Sequence, residues 1–180
     1  MEPLIALISV TIVLAALGAA GIARLRPWPV PLRGGLAAMF TLTGVVHFVG
    51  MRDELIAMVP PALPNPGLLV TVTGVLELAG AAGLLIRRTA PLSAACLSML
   101  LVAMFPANVF KALDGPVSTF DSLIPRTVMQ VVFLAATLAV AFSGQITHWF
   151  ERRKSTRLGS VQRRTPTGAT PESELHPQPR

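Results

Sequence analysis

The sequence predicts an all-α, polytopic membrane protein with five transmembrane helices. Of its 180 residues, 52% are hydrophobic and 13% are charged, which is typical of a membrane protein rather than of a soluble domain with one core. Apolar runs of about 20 residues recur along the chain, and about 20 helical residues cross the roughly 30 Å hydrocarbon core of a bilayer. The predicted spans are Pro3–Ala23, Gly34–Met51, Gly67–Ile86, Ala90–Phe110 and Thr127–Phe150.

The first span is expected to be retained as a membrane helix. No Lys or Arg precedes Pro3–Ala23, whereas a secretory signal peptide begins with basic residues and has a shorter apolar stretch of about 7 to 15 residues. Removal of this span would also leave Arg24, Arg26 and Arg33 on the outer side of the membrane, against the positive-inside rule.

The connections between the spans carry the proline and turn signals. Between spans two and three, prolines at positions 60, 61, 64 and 66 prevent a continuous helix. Before them, Arg52–Val59 has the length and pattern of a two-turn helix on the membrane surface. Arg87–Thr89 is so short that spans three and four must be antiparallel neighbours. Pro106 predicts a kink in span four, and Asp114–Pro116 predicts a turn before span five.

The basic residues predict the orientation in the membrane. Twelve of the fifteen lie in the first, third and last hydrophilic segments, so the positive-inside rule places the N-terminus outside and the C-terminus in the cytoplasm. Trp28 and Trp149 fall at the cytoplasmic boundary, where interfacial tryptophans are enriched. Residues 151–180 are rich in Arg, Ser, Thr and Pro, and we expect a disordered tail there. Loop and tail charges explain the net charge of +6, so no nucleic-acid partner is predicted.

A single acidic residue, Glu77, lies near the middle of span three. An acidic side chain at the bilayer midplane costs at least roughly 2.5 to 3.5 kcal/mol, so it should face the protein interior, find a partner or hold a proton. Helical spacing places it on one face with Thr73, Gly74, Gly80 and Ala81. Because these residues are small, a neighbouring helix or a ligand can approach closely. Glu77, Thr73 and Gly74 are therefore candidate ligand-binding residues.

Two further candidates, His47 and Asn108, lie nearer the outer side. Counting about 1.5 Å per residue from the cytoplasmic ends gives heights of about 15 Å for Glu77, 21 Å for His47 and 30 Å for Asn108. If these side chains turn inward, they line a pocket that opens outward beneath the proline-rich loop, with Glu77 at its floor. Plain structural roles stay open: a bond to water or backbone for His47, and interhelical hydrogen bonds for Glu77, Asn108 and Gln130.

Several kinds of chemistry find no support in the sequence. Cys96 is the only cysteine, which excludes an internal disulfide, a CxxC redox centre and a four-thiolate metal site, and we expect it to be a small core residue. No HExxH, GxSxG, P-loop or GxGxxG motif occurs. Neither a metal site nor a familiar hydrolase or nucleotide-dependent enzyme is predicted.

Four segments together resemble the DoxX family of small bacterial membrane proteins. They are FTLTGVVHFVG at 40–50, MVPPALPNP at 58–66, TGVLELAGAAGLL at 73–85 and FPANVFKAL at 105–113, and the resemblance covers about 36–141. It implies a four-helix transmembrane bundle made of spans two to five, to which the first span is an extra N-terminal helix. The implied organisation is the N-terminal helix and loop at 1–33, the DoxX-like domain at 34–150 and the tail at 151–180.

The same resemblance implies a function and a location. The family takes its name from a subunit associated with a thiosulfate:quinone oxidoreductase, so the chain is expected to be an accessory, redox-associated subunit in the bacterial cell (inner) membrane. It would bind a quinone or another lipid-like molecule, and its candidate partners are membrane lipids, a redox protein and further copies of the chain. Some relatives use cysteine pairs, and the lone Cys96 departs from that pattern.

Other functions stay open beside this non-catalytic one. Glu77 and His47 would form the acid–base pair of an isomerase acting on a lipid or sterol-like substrate, provided that the two side chains meet. Their estimated heights differ by only about 6 Å. An oligomeric proton-coupled exporter and a purely structural assembly protein are further alternatives.

Overall fold

The structure is a computed structural model and describes residues 2–113 and 123–144. Of these residues 82% are helical, and none of them forms a strand, so the fold is all-α. The helices are α1 (Glu2–Ala19), α2 (Pro29–Val46), α3 (Arg52–Ala57), α4 (Pro66–Leu85), α5 (Ala90–Leu113) and α6 (Leu123–Ala141), and a single 3-10 turn covers Ala23–Leu25.

Five of these helices, all except the short α3, are long and apolar enough to cross a membrane. Their outward faces stay apolar, where a water-soluble protein would place charges. Exposed large apolar side chains occur on every one of the five: Ile5, Ile12, Leu42, Val45, Leu68, Val75, Leu92, Met99, Val128 and Val131. These faces are compatible with contact to lipid, and the prediction of five helices long and apolar enough to cross a membrane is confirmed.

The helices form a four-helix bundle with one additional helix. In the bundle, α2 packs against α4, α4 against α5, α5 against α6, and α6 returns to α2, while α1 packs against α2 from outside this ring. Helix α2 is consequently the most buried, with 39% of its length enclosed against 11% for α1. The three-residue connection predicted α4 and α5 to be antiparallel neighbours, and they are.

The centre of the bundle is apolar, with a few polar contacts that tie helices together. Side chains of Leu36, Phe40, Leu84, Leu97, Phe133 and Val140 contribute to one buried core. The hydroxyls of Ser98 on α5 and Thr137 on α6 lie 2.8 Å apart in this core. Arg33 on α2 donates from Nε to the carbonyl oxygen of Leu84 at 2.8 Å, so it satisfies a carbonyl in the last turn of α4.

Several helix boundaries differ from the predicted ones, and those of α2 and the start of α4 have local reasons. Helix α2 begins at Pro29 instead of Gly34, because proline is well suited to the first helical turn and Arg33 finds a partner inside the protein. It ends at Val46 instead of Met51, and shortly afterwards the chain turns at Gly50, where φ is +82°. Helix α4 begins at Pro66 after Asn65, which has the left-handed φ of 51°.

Other predictions have mixed outcomes. Helix α3 forms at Arg52–Ala57 and so ends before Val59, the predicted end, and α5 runs as one helix through Pro106. The prediction that Cys96 lies in the core is wrong, because this thiol is exposed on α5. The turn at 114–116, Trp149 and the tail at 151–180 lie outside the described residues.

Candidate functional site

The site begins where α2 and α4 cross at two glycines. A side chain on Gly74 would place its Cβ 2.6 Å from the Cβ of His47, and one on Gly44 would place its Cβ 2.8 Å from Cγ of Leu78 and 3.3 Å from Cβ of Glu77. These distances leave no room for a methyl group. The absence of side chains therefore lets the two helices approach closely, and it brings His47 and Glu77 to the same level of the bundle.

His47 and Glu77 meet inside the protein. Nδ1 of His47 lies 4.0 Å from Oε2 of Glu77, and each side chain is only 5% exposed. Nδ1 also lies 2.8 Å from the carbonyl oxygen of Thr43 one turn earlier on α2. Since a carbonyl can only accept, Nδ1 carries the hydrogen, and Nε2 of a neutral ring is left as an acceptor.

The Glu77 carboxyl is incompletely satisfied. The Thr43 side chain faces it, yet Oε2 is buried with no hydrogen-bond partner among residues 2–113 and 123–144. An oxygen in this position loses its bonds to water without gaining others, which is costly. The unpaired oxygen is the strongest indication of a ligand site that the structure offers.

This carboxyl opens onto a cavity of about 200 Å³, which we call the central chamber. All four bundle helices and α3 contribute to its walls: Met39, Phe40, Thr43, Val46, His47, Leu55, Glu77, Leu101, Met104, Asn108, Gln130 and Phe133. Its polar groups include a carboxyl, an imidazole, a hydroxyl and two amides. The remaining walls are apolar, so those groups can orient a small ligand group between otherwise apolar side chains.

A second and larger cavity of about 520 Å³ adjoins the central chamber, and we call it the vestibule. It lies between α4 and α5, beneath the proline-rich segment that follows α3. The two cavities share four wall residues: His47, Leu55, Met104 and Asn108. The vestibule walls are mostly aliphatic, so the combined space becomes more polar towards Glu77.

The vestibule has a roof that is held in place by Arg52. Leu55, Met58 and Val59, the apolar side of the α3 region, line the vestibule. Arg52 donates to the carbonyl oxygens of His47 at 3.1 Å and Gly67 at 3.2 Å, and to the Thr71 hydroxyl at 2.9 Å. One guanidinium thus joins the roof, the end of α2 and the start of α4.

Two amides occupy the α5–α6 side of the central chamber. Asn108 accepts from Arg126 at 3.4 Å through its side-chain oxygen. Gln130 donates from Nε2 to the carbonyl oxygen of Leu101 at 2.6 Å. Both amides link α5 to α6, as interhelical polar residues do, and both also line the chamber.

The five residues predicted from sequence are only partly brought together. Glu77, His47 and Asn108 line the central chamber. Thr73 lines the vestibule, but its hydroxyl is bonded to the Leu69 carbonyl of its own helix at 2.9 Å. Gly74 has a packing role, because His47 fills the space beside it.

Sequence reasoning missed Thr43 and Arg52 as parts of the site. A signal for Thr43 was present, because it lies one helical turn from His47 and therefore on the same face. The sequence indicates only a loop charge at Arg52, and no sequence pattern predicts the three groups to which it donates hydrogen bonds. Across the described part of the chain, no cluster of three or more His, Cys, Asp or Glu residues could hold a metal ion.

The chain belongs to the family described as Domain of unknown function (DUF8561), which matches residues 36–141. The match includes α3, α4, α5 and α6 and most of α2, and thus every residue that lines the central chamber. No curated protein and no solved structure matches the chain.

Proposed function

We propose that this chain is a membrane protein that binds a lipid-soluble molecule with a small polar head. The observation that carries the proposal is the buried Glu77 oxygen, which has no hydrogen-bond partner within residues 2–113 and 123–144 and lies at the inner end of two adjoining cavities. A hydroxyl on the ligand would donate to this oxygen, whereas a ligand carbonyl would accept from the carboxyl in its protonated form. His47 offers Nε2 as a further acceptor.

The shape of the cavities supports a division of the ligand into head and chain. The central chamber, at about 200 Å³, accommodates a ring or a similarly small polar group, and the vestibule, at about 520 Å³, accommodates an aliphatic chain. A phosphate head is disfavoured because it would lie beside the Glu77 carboxyl. A quinone or an uncharged lipid has the required chemistry.

An accessory, redox-associated role is the physiological part of this proposal. It is supported by the motifs that resemble the DoxX family, which include His47, Glu77 and Asn108, and by the fit of a quinone to the two cavities. In that role the chain would hold the quinone for a redox protein bound elsewhere on its surface. Among the described residues no cysteine pair provides a thiol relay, since Cys96 is the only cysteine in the chain.

The test is the small-molecule content of the purified protein. We expect a defined lipid-soluble compound to co-purify with the wild type and to be strongly depleted in Glu77→Gln and His47→Ala, as measured by mass spectrometry of extracts. Glu54→Gln is the matched control, because it makes the same change at an exposed carboxyl of α3. Equal content in all four proteins, or no specific compound in any of them, would contradict the proposal.

A second candidate function is a double-bond isomerase, and the 4.0 Å contact between His47 and Glu77 favours it. In this reaction Nε2 of neutral His47 removes an allylic proton from an unsaturated, sterol-like ketone, and protonated Glu77 delivers a proton to the other end of the shifted double bond. Both residues then exchange protons to restore their starting forms. Incubation with such a ketone in D₂O should move the double bond and introduce deuterium; absence of both changes would eliminate this candidate.

The proposed orientation in a bacterial cell membrane has the N-terminus outside and the C-terminus in the cytoplasm. It is supported by Arg24 and Arg26 after α1 and by Arg87 and Arg88 after α4. The bond from Arg33 to Leu84 brings these two basic connections to the same end of the bundle. A green fluorescent protein fused to the C-terminus should fluoresce, and alkaline phosphatase fused after Ala62 should be active; the opposite pattern would reverse the orientation.

A further inference from the structure

The vestibule is open on one side of the bundle because α4 and α5 separate along their length. Near the α4–α5 connection the two helices are in close contact. A Cβ on Gly80 would lie 2.5 to 2.9 Å from three atoms of the Leu97 side chain, and one on Gly83 would overlap Oγ of Ser93. Towards α3 this contact gives way to the vestibule, which is lined by Leu69 and Thr73 of α4 and by Ala103 and Ala107 of α5.

The opening of the vestibule lies far from the ends of the helices. Among the wall residues, Leu63, Ala103 and Pro106 are exposed, so they mark the opening. Ala103 precedes the end of α5 at Leu113 by ten residues, which corresponds to about 15 Å along the helix axis. An opening at that depth lies beside the apolar part of the bundle, well below the ends of the helices.

The outward faces of the two helices that flank the opening are apolar. Val72 on α4 and Val102 on α5 are exposed at 45% and 57%, and Met99, one turn further from the opening, is exposed at 73%. No charged residue of α4 or α5 lies beside them. In contrast, the side towards the helix ends is covered by the roof residues Met58, Val59 and Pro60.

We propose that the ligand enters sideways from the bilayer, between α4 and α5, and reaches Glu77 with its polar head first. The identity of the ligand as a lipid-soluble molecule rests on the proposed function, whereas the route rests on the shape of the bundle. Passage from the vestibule to the central chamber runs between His47, Leu55, Met104 and Asn108. The flexible, unbranched Met104 side chain can move aside to admit the head, while the apolar chain stays in the vestibule.

This route selects a class of ligand. The molecule must be soluble in the membrane, and its head must be small and uncharged to cross an apolar opening without a large cost of desolvation. Long-chain quinones and uncharged single-ring lipids meet both conditions. Water-soluble metabolites and lipids with phosphate heads do not.

The test uses tryptophan fluorescence quenched by brominated phosphatidylcholine, and it needs no knowledge of the ligand. In the full chain with Trp28→Phe and Trp149→Phe, single tryptophans are placed in the vestibule (Leu69→Trp), on the outer face (Val102→Trp) and in the core away from both cavities (Leu36→Trp). Each protein is reconstituted in vesicles of brominated or unbrominated phosphatidylcholine. Thr73→Trp is a second vestibule probe that replaces the first if Leu69→Trp does not fold.

We expect brominated chains to quench the vestibule tryptophan nearly as strongly as the one on the outer face, with little loss of fluorescence in the core. Quenching of the vestibule tryptophan by water-soluble acrylamide instead, or by neither agent, would overturn lateral access. In the co-purification assay, Ala103→Phe should lower the content of bound compound and Val102→Phe should not. If bromine quenching succeeds but no compound co-purifies from any protein, the proposed function fails while the route stands.

Discussion

Replacement of Gly74 by alanine tests whether close packing of α2 on α4 creates the candidate site. The added Cβ would lie 2.6 Å from Cβ of His47 and 2.9 Å from Cε2 of Phe48. Carbon atoms in contact prefer about 3.5 Å or more, so about 1 Å of separation is missing. Because the His47 Cβ is fixed to its backbone, only a shift of α2 away from α4 can supply it. That shift would widen the 4.0 Å gap between His47 and Glu77.

The expected change in the free energy of unfolding follows from two opposing effects. Overpacking of a close contact costs about 1 to 3 kcal/mol, and the better helix propensity of alanine returns about 1 kcal/mol. We therefore expect Gly74→Ala to lower the free energy of unfolding by up to about 2 kcal/mol. Gly67→Ala is the matched control on the same helix, since its Cβ would meet Cδ1 of Ile56 at an ordinary 3.8 Å. This control should be at least as stable as the wild type, because it gains helix propensity without the overlap.

The assay is unfolding by sodium dodecyl sulfate in mixed micelles, followed by circular dichroism, together with the mass of co-purified compound. Gly74→Ala should unfold at a lower detergent fraction than Gly67→Ala, and it should retain less compound. If the two variants unfold together and retain equal amounts, the glycine crossing does not determine the geometry of the pair, and our explanation of the site is wrong.

Two further predictions concern polar contacts between elements. Arg52→Lys keeps the charge but loses the planar guanidinium that reaches three acceptors. We therefore expect the free energy of unfolding to fall by about 1 to 3 kcal/mol in the same assay, and the chain to be cleaved faster after α3. Unchanged proteolysis would show that the roof is held by other contacts. Ser98→Ala removes the hydroxyl beside Thr137. It should lower the free energy of unfolding by about 0.6 kcal/mol, a typical value for an interhelical hydrogen bond in a membrane protein. Ser9→Ala, which removes a hydroxyl bonded only within its own exposed helix face, should cost less, and equal losses would contradict the interhelical assignment.

The helices and the burial of Glu77 could be predicted because they depend on local rules. Span length follows from bilayer thickness and helical rise, and a lone carboxyl in an apolar run must turn inward. Helical period then placed Gly74 and Glu77 on one face, which the structure buries. The height of each side chain along the bundle also follows from the rise per residue, and the heights of His47 and Glu77 are close enough for the two side chains to meet.

The partners of individual side chains could not be predicted in the same way. Period identifies the face of a helix but not the helix that covers it, so Gly74 was interpreted as a ligand contact although His47 packs there. Arg33 was assigned to a loop because arginine is rare in membrane spans, yet the Leu84 carbonyl makes it acceptable inside α2. The apolar neighbours of Cys96 predict a core position, but α5 is apolar both towards lipid and towards protein, and composition cannot distinguish the two faces.

The same ambiguity, between an apolar face towards the membrane and one towards protein, applies to the roof of the vestibule. An apolar side at Leu55, Met58 and Val59 fits either the membrane surface or a protein cavity, and in the structure it lines the cavity. Irregular backbone near the apolar layer requires partners for its polar groups. The four prolines of this segment have no N–H to satisfy, and Arg52 donates to the carbonyl at the end of α2 and to another in the first turn of α4. A roof built in this way limits the access of water to the cavities, and in such a site the unpaired Glu77 oxygen would bind the head of the proposed ligand strongly.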